Sequence, residues 1–254
     1  MEYRYASTIE EACRLVENGF SPIAGGTEIN LKHGAGPLVD IDGIGMNYIE
    51  DRGDSIAIGA TATIAQIERS SLLREYNALT IAAVGFTQSV KHLATIGGNI
   101  AESVASADTA PPLLVFDAEA VLASLTGERI VRVESLFAGL RKNALRRGEI
   151  IKEFLLPRFD GRSYFRKVGR TEDDLAVTSM AISVSGDVRI ALGSAASVPM
   201  RARNAEKALS SGMGAARDAL LSETSPRDSM RAARDYRERL ETALLEECLR
   251  EVGL

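Results

Sequence analysis

Tryptophan is absent from this chain of 254 residues, and only two cysteines, two histidines and seven prolines occur. Cys13 and Cys248 lie far apart and supply neither an iron–sulfur cluster nor a structural zinc site by themselves. Buried reduced thiols are the expectation. His33 and His92 do not suggest a metal site either, and no Ser-His-Asp constellation is visible by spacing. No apolar run reaches the roughly 20 residues that span a bilayer. The opening Met-Glu-Tyr-Arg-Tyr has no apolar signal core, so a cytoplasmic protein is expected. Cationic excess is missing as well. A net charge of -5 and a pI near 5.3 argue against nucleic acid or an anionic membrane as the main partner. There are no internal repeats, low-complexity tracts or long linkers.

With 45% hydrophobic and 26% charged residues, the chain has the composition of an ordinary globular protein with a substantial core, as two domains or one large one. Its distinctive chemistry is two diglycine segments. The first reads Ile23-Ala24-Gly25-Gly26-Thr27-Glu28, and the second Ala94-Thr95-Ile96-Gly97-Gly98-Asn99-Ile100. Adjacent glycines open backbone conformations closed to other residues and let bare N–H groups approach a ligand. Two such segments closing from opposite sides would form an anion nest for a phosphate-bearing ligand. Neither matches Gly-x-Gly-x-x-Gly or the Gly-Lys-Ser/Thr of a P-loop, so a Rossmann or Walker site is not supported. A lone diglycine is most often only a tight turn.

The chain punctuates clearly. Thr8 is an N-cap, Glu10 and Glu11 favour the first helical turn, and Gly19 stops the helix. Short strands are predicted at Ser21–Ala24 and Leu38–Ile41, with Ile29 and Leu31 alternating between them. This gives a β-α-β-like lobe of about fifty residues. A second lobe begins after Asp51, with a strand at Ser55–Ala60, a helix capped by Thr63 and a second helix over Leu72–Ala83. Pro111 or Pro112 starts another helix. A hairpin joins Ala120–Ser124 to Ile130–Val133 around a turn at Thr126–Arg129, and Ile150–Leu156 is a further strand. A boundary falls between Pro157 and Arg162. Beyond it come strands at Tyr164–Gly169, Thr178–Ser185 and Val188–Ser197, helical stretches at Glu206–Leu209 and Ala215–Leu221, and a long helix over Asp228–Val252. The charges of that last helix are expected mostly on its solvated face.

Several segments together resemble the FAD-binding medium subunit of the molybdenum hydroxylases, the flavoproteins of xanthine dehydrogenase and aerobic carbon monoxide dehydrogenase. They are the two diglycine segments, Asp108-x-x-Pro-Pro-Leu-Leu, Gly127-Glu128-Arg129, Phe165-x-Lys167-x-x-Arg170 with Asp174-Leu175-Ala176, Arg189-Ile190-Ala191-Leu192-Gly193, Pro226-x-Asp228 and Tyr236-Arg237. The similarity covers nearly the whole chain. It implies an α+β fold: a two-lobed FAD-binding domain of the PCMH (vanillyl-alcohol-oxidase) type over residues 1–158, with lobes of about 1–50 and 51–158. A C-terminal domain over 159–254 follows, a three-stranded antiparallel sheet with helices.

The resemblance also implies site residues. Ala24, Gly25, Gly26, Thr27, Glu28, Ile29 and Asn30 would form one FAD loop, and Thr95, Gly97, Gly98 and Asn99 the other, the two holding the diphosphate. Asp108 would accept hydrogen bonds from FAD, or else serve as a helix N-cap ahead of Pro111. Ile151 would pack near the cofactor, or else be ordinary strand core. Leu175 would stand at the isoalloxazine ring. Lys167 and Arg170 would bring positive charge towards that ring and raise its potential, or else lie on a solvated strand face. Thr171 stands where a second basic residue is usual, and Ala105 where a proline is common ahead of Asp108.

The implied function is electron relay within a complex. A small iron–sulfur subunit and a large molybdopterin subunit would be partners in a dimer of heterotrimers, with NAD or another acceptor at the end. No residue is expected to be catalytic and none to bind metal. A stand-alone FAD oxidoreductase and a degenerate, non-enzymatic assembly module are the alternatives.

Overall fold

The computed structural model describes residues 2–28, 36–171 and 174–254. In the first lobe, β1 (Tyr3–Tyr5), α1 (Ile9–Glu17), β2 (Ser21–Ile23) and β3 (Leu38–Asp40) build a three-stranded parallel sheet in the order β1-β3-β2. Thr8 caps α1 by accepting from the Glu11 N–H at 3.1 Å, and Gly19 follows in the left-handed region at φ +93. Buried Ala12 and Cys13 of α1 pack on Val39 and, across the lobe boundary, on Ala123 and Ile150. Ile29 and Leu31 lie outside the described residues.

The second lobe holds β4 (Ile49–Asp51), β5 (Ser55–Gly59), α2 (Ile64–Arg69), α3 (Asn77–Val84), α4 (Gln88–Lys91), α5 (Ile96–Ala101), α6 (Ala110–Val115), β6 (Glu119–Ser124), β7 (Gly127–Arg132), β8 (Phe137–Gly139), β9 (Lys142–Asn143) and β10 (Ile150–Pro157). Its antiparallel sheet runs β4-β5-β10-β6-β7. The apolar run of β10 fits its central place, because a strand covered on both faces needs few polar residues. Thr63 and Gln66 close a reciprocal capping box on α2. Proline opens α6. The hairpin turn is tighter than expected: Ser124 pairs with Gly127, leaving only Leu125 and Thr126 between the strands.

The helix predicted over Leu72–Ala83 begins at Asn77. Tyr76 is the reason. Its ring packs against Phe116 and Phe159, its hydroxyl donates to the Pro157 carbonyl at 2.8 Å, and its backbone leaves the helical region at φ -93, ψ 51.

The C-terminal part comprises β11 (Arg162–Val168), β12 (Thr178–Ser185), β13 (Asp187–Gly193), β14 (Met200–Arg201), α7 (Arg203–Ala208), α8 (Met213–Glu223) and α9 (Arg234–Glu251). The antiparallel sheet β11-β12-β13-β14 includes a fourth, two-residue strand beyond the three expected. Its faces alternate. Met180, Ile182, Ile190 and Leu192 meet α8 and α9, whereas Phe165, Ala181 and Ala191 join the core of the second lobe. The helix expected from Asp228 begins at Arg234, because side chains capture the preceding backbone: Asp228 accepts from the Arg234 N–H at 2.7 Å and Ser229 from the Arg231 N–H at 3.2 Å. Its charges lie mostly on the solvated face, as expected, but Arg237 and Glu241 are buried. Among the described residues no helix is long and apolar enough to cross a membrane.

Candidate functional site

The two diglycine segments meet. After β2 the chain turns through Ala24–Glu28, and Gly26 adopts φ +68, a conformation glycine reaches without steric cost. A Cβ on Gly25 would lie 1.6 Å from the Leu93 carbonyl oxygen, so this loop rests directly against the approach to the second segment. The N–H groups of Gly25, Gly26, Thr27 and Glu28 make no hydrogen bond among the described residues. They are open donors.

The second segment is not a tight turn with bare N–H groups, as expected, but the first turn of α5. Thr95 is its N-cap and accepts from the Gly98 N–H at 3.2 Å. The Ile96 N–H donates to the Ala62 carbonyl at 3.0 Å, Gly97 to Ala60 at 2.9 Å and Asn99 to Thr95 at 3.0 Å. The four N–H groups at this helix start are therefore already engaged. Gly97 is required by packing, since a Cβ there would sit 2.6 Å from the Ala60 carbonyl oxygen. Around Gly98 the neighbour of such a Cβ among the described residues is Thr95 Oγ1, at 3.1 Å. The Asn99 side-chain oxygen Oδ1 accepts from the Thr109 hydroxyl at 2.6 Å, which orients the side-chain amide.

Between the segments runs a cleft with a cavity of about 330 Å³, a size typical of ligand pockets. Ala24, Gly25, Gly26, Thr27, Glu28, Thr95, Gly97, Gly98, Asn99, Asp108, Ile151, Lys167 and Leu175 all line it. Ile29 and Asn30 lie outside the described residues. Ile151 reaches the wall next to a register shift in β10 between Ile151 and Glu153, where the Lys152 carbonyl accepts from the Ala60 N–H at 2.9 Å.

At the far end Lys167 Nζ donates to the Gly85 carbonyl at 2.6 Å and to Asp108 Oδ2 at 3.1 Å. Burial raises the Asp108 carboxyl to about 6, against the opposing pull of Lys167. Its other oxygen is buried without a partner. Asp108 does not cap α6; Thr109 holds that position. Arg170 pairs with Asp174 at 2.7 Å on the surface and does not line the cleft. The Ala105 carbonyl accepts from the Ser194 N–H at 2.7 Å, which ties the loop ahead of Asp108 to the C-terminal sheet. Leu175 stands half exposed at the mouth.

Some lining residues were not singled out from the sequence. Thr61, in the Gly59-Ala-Thr-Ala-Thr run that ends β5, has a buried hydroxyl without a partner. Glu102, at the end of α5, shares Arg141 with Glu28: Arg141 Nη1 lies 2.9 Å from Glu28 and 3.5 Å from Glu102. A hydroxyl just past a strand end was a legible hint for Thr61. Nothing local announces the Arg141 bridge. No group of three or more His, Cys, Asp or Glu is placed to hold a metal among the described residues.

Residues 1–159 match the family described as FAD binding domain in molybdopterin dehydrogenase, and residues 163–252 the CO dehydrogenase flavoprotein C-terminal domain. The chain is 30% identical to the xanthine dehydrogenase FAD-binding subunit of Escherichia coli O157:H7, over 92% of this chain and 90% of that one. It is 33% identical to the nicotinate dehydrogenase FAD-subunit of Eubacterium barkeri, over 73% of this chain and 66% of the relative. Carbon monoxide dehydrogenase from Hydrogenophaga pseudoflava superposes with a TM-score of 0.93 at 25% identity, covering 99% of this chain and 96% of that chain.

Proposed function

We propose that this chain, which belongs to the FAD-binding subunits of the molybdenum hydroxylase family, is the electron-transfer component of a larger dehydrogenase complex. The lining at Gly25–Glu28, Asn99, Asp108 and Ile151 would hold FAD, which would supply the redox chemistry for passing electrons from a small iron–sulfur subunit to NAD or another acceptor. The observation that carries the reading is the convergence of both diglycine segments, Asp108, Lys167 and Leu175 on one cleft.

The residues present fit the cofactor. The open N–H groups of Gly25–Glu28 suit diphosphate oxygens, and the side-chain amide of Asn99 adds a donor from the other wall. The vacant Cβ position at Gly98 leaves room for close approach. The unpartnered oxygen of Asp108 suits a hydroxyl or amide donor of the cofactor. Ile150 and Ile151 form an apolar wall that keeps water out. Lys167 contributes a paired rather than an isolated cation, so its stabilisation of negative charge on the ring is weaker than that of a free lysine.

The same reading divides the chain into a FAD-binding domain over 1–158, with lobes of about 1–50 and 51–158, and a C-terminal domain over 159–254. The two matched families, ending at 159 and starting at 163, support it. It assigns a small iron–sulfur subunit and a large molybdopterin subunit as partners in a dimer of heterotrimers. Relatives named as FAD-binding subunits support a role inside an assembly.

The test is FAD titration of the purified chain and of Gly98→Val, followed by fluorescence. The wild-type chain is expected to bind saturably. The variant is expected to lose binding while keeping its circular dichroism and a cooperative unfolding transition. Undiminished affinity in Gly98→Val contradicts the placement, and a wild-type chain that takes up no added FAD overturns the reading.

A further inference from the structure

Away from the cleft, buried charge concentrates on α9. Arg237 is 5% exposed and Glu241, one turn later, 0%. Both lie on the face that carries Leu244, Leu245 and Cys248 into the C-terminal core. An apolar pair would fill such positions at no electrostatic cost, whereas burial disfavours the charged form of both side chains. Stability alone therefore does not account for the arginine.

Its hydrogen bonds suggest what does. Arg237 Nη1 donates to the Val177 carbonyl, and Nη2 donates to Ser229 Oγ at 2.8 Å. The acceptors belong to two different loops. One is the 224–233 connection into α9. The other is the stretch 174–177 just ahead of β12, which carries Asp174 and Leu175 into the cleft wall. Among its described residues, the Asp174 N–H donates to the Thr171 carbonyl at 3.3 Å and the Asp174 carboxylate accepts from Arg170 Nε at 2.7 Å. The Val177 N–H donates to the Val168 carbonyl at 2.8 Å, the Ala176 carbonyl accepts from Ser194 Oγ at 3.2 Å, and the Leu175 N–H donates to its neighbour Asp174 at 2.8 Å. Burial pulls the Arg237 guanidinium below its ordinary value, and Glu241 and Asp228 both oppose that pull.

We infer that Arg237 is a positioning residue for the cleft: by holding the Val177 carbonyl from behind, it sets where Asp174 and Leu175 stand at the mouth, and so shapes the surroundings of the bound flavin ring. This rests on the assignment of the cleft to FAD. The hold itself is independent of that assignment and is read on the apo chain.

The experiment uses the full chain with Arg237→Met, which keeps the packing stem and removes the donors, and Arg237→Lys, which keeps the charge but reaches one acceptor at a time. In apo protein, amide hydrogen exchange at 174–177 is expected to quicken about tenfold in Arg237→Met while β12 and β13 keep their protection. Arg237→Lys is expected to fall between wild type and Met. With FAD added, the visible flavin spectrum should shift, and the dissociation constant should rise about fivefold, in the same order. Exchange that quickens evenly through the C-terminal part means a merely structural arginine and overturns the inference. So does local loosening with a wild-type flavin spectrum and affinity. If Arg237→Met does not fold, Arg237→Lys decides by the same two readouts. A wild-type chain that binds no FAD refutes the cofactor assignment, a result distinct from either.

Discussion

The two diglycine segments look alike in sequence and are used differently. At Gly25-Gly26 one glycine supplies a left-handed turn, the other a close approach to Leu93, and the N–H groups around them remain open. At Gly97-Gly98 the backbone is helical and its N–H groups are spent on Ala60 and on the Thr95 cap. Both line the cavity, but Gly97 is pressed against Ala60, just past β5, whereas a Cβ at Gly98 would meet the Thr95 hydroxyl. Sequence similarity between two turns thus says little about which of them has donors to offer. That depends on what else lies within hydrogen-bonding distance.

The difference can be broken or sharpened by substitution. The largest effect is expected from Gly25→Val. No side chain fits 1.6 Å from a backbone oxygen, so the first loop must move away from Leu93. FAD affinity should fall by about a hundredfold or more, since about 3 kcal/mol of binding is at stake once the open donors shift. Titration of the variant checks this, and wild-type affinity would remove the loop from the diphosphate site.

Next comes a contrast within the second segment. Gly97→Ala should lower the unfolding free energy by about 1–3 kcal/mol, because overpacking against Ala60 outweighs the helix propensity of alanine. Gly98→Ala should leave stability unchanged or raise it by up to about 1 kcal/mol, while FAD affinity falls about tenfold. Urea unfolding and FAD titration of both variants separate the roles, and equal behaviour of the pair would contradict them.

A further effect, confined to one pH range, concerns Asp108. Folding raises this carboxyl from its ordinary value to about 6, mainly through burial. The folded chain therefore holds the proton more tightly than the unfolded one. The stability this contributes is complete below pH 4 and is lost as pH rises through about 6, a change on the order of 1–3 kcal/mol. Asp108→Asn should flatten that part of the stability–pH curve. An unaltered slope between pH 4 and 7 would show that the carboxyl titrates normally.

Local signals were legible where a single residue decides an element. Thr8 and Thr63 cap their helices, proline opens α6, and the apolar run at Ile150 became the central strand. They failed where distant atoms intervene. Tyr76 is pulled from helical geometry by Pro157, which lies 81 positions away, and Asp228 and Ser229 delay α9. Arg237 and Glu241 read as surface charges because helical periodicity reports hydrophobicity, not the depth at which a charge finds a partner. The candidate site residues were named from the family resemblance. Spacing alone supported only a phosphate-bearing ligand.

The kind of protein is written in the order of residues: two glycine pairs, the apolar periods of strand and helix, and the caps that start them. These are short-range properties, set by backbone sterics and by neighbours a few residues apart. Only the tertiary structure decided which N–H groups stay open, why each glycine is needed, and that Lys167 is paired with Asp108 across 59 positions of chain. Hydrogen bonds and ion pairs act over about 3 Å, and only the completed fold brings groups so distant in sequence within that reach.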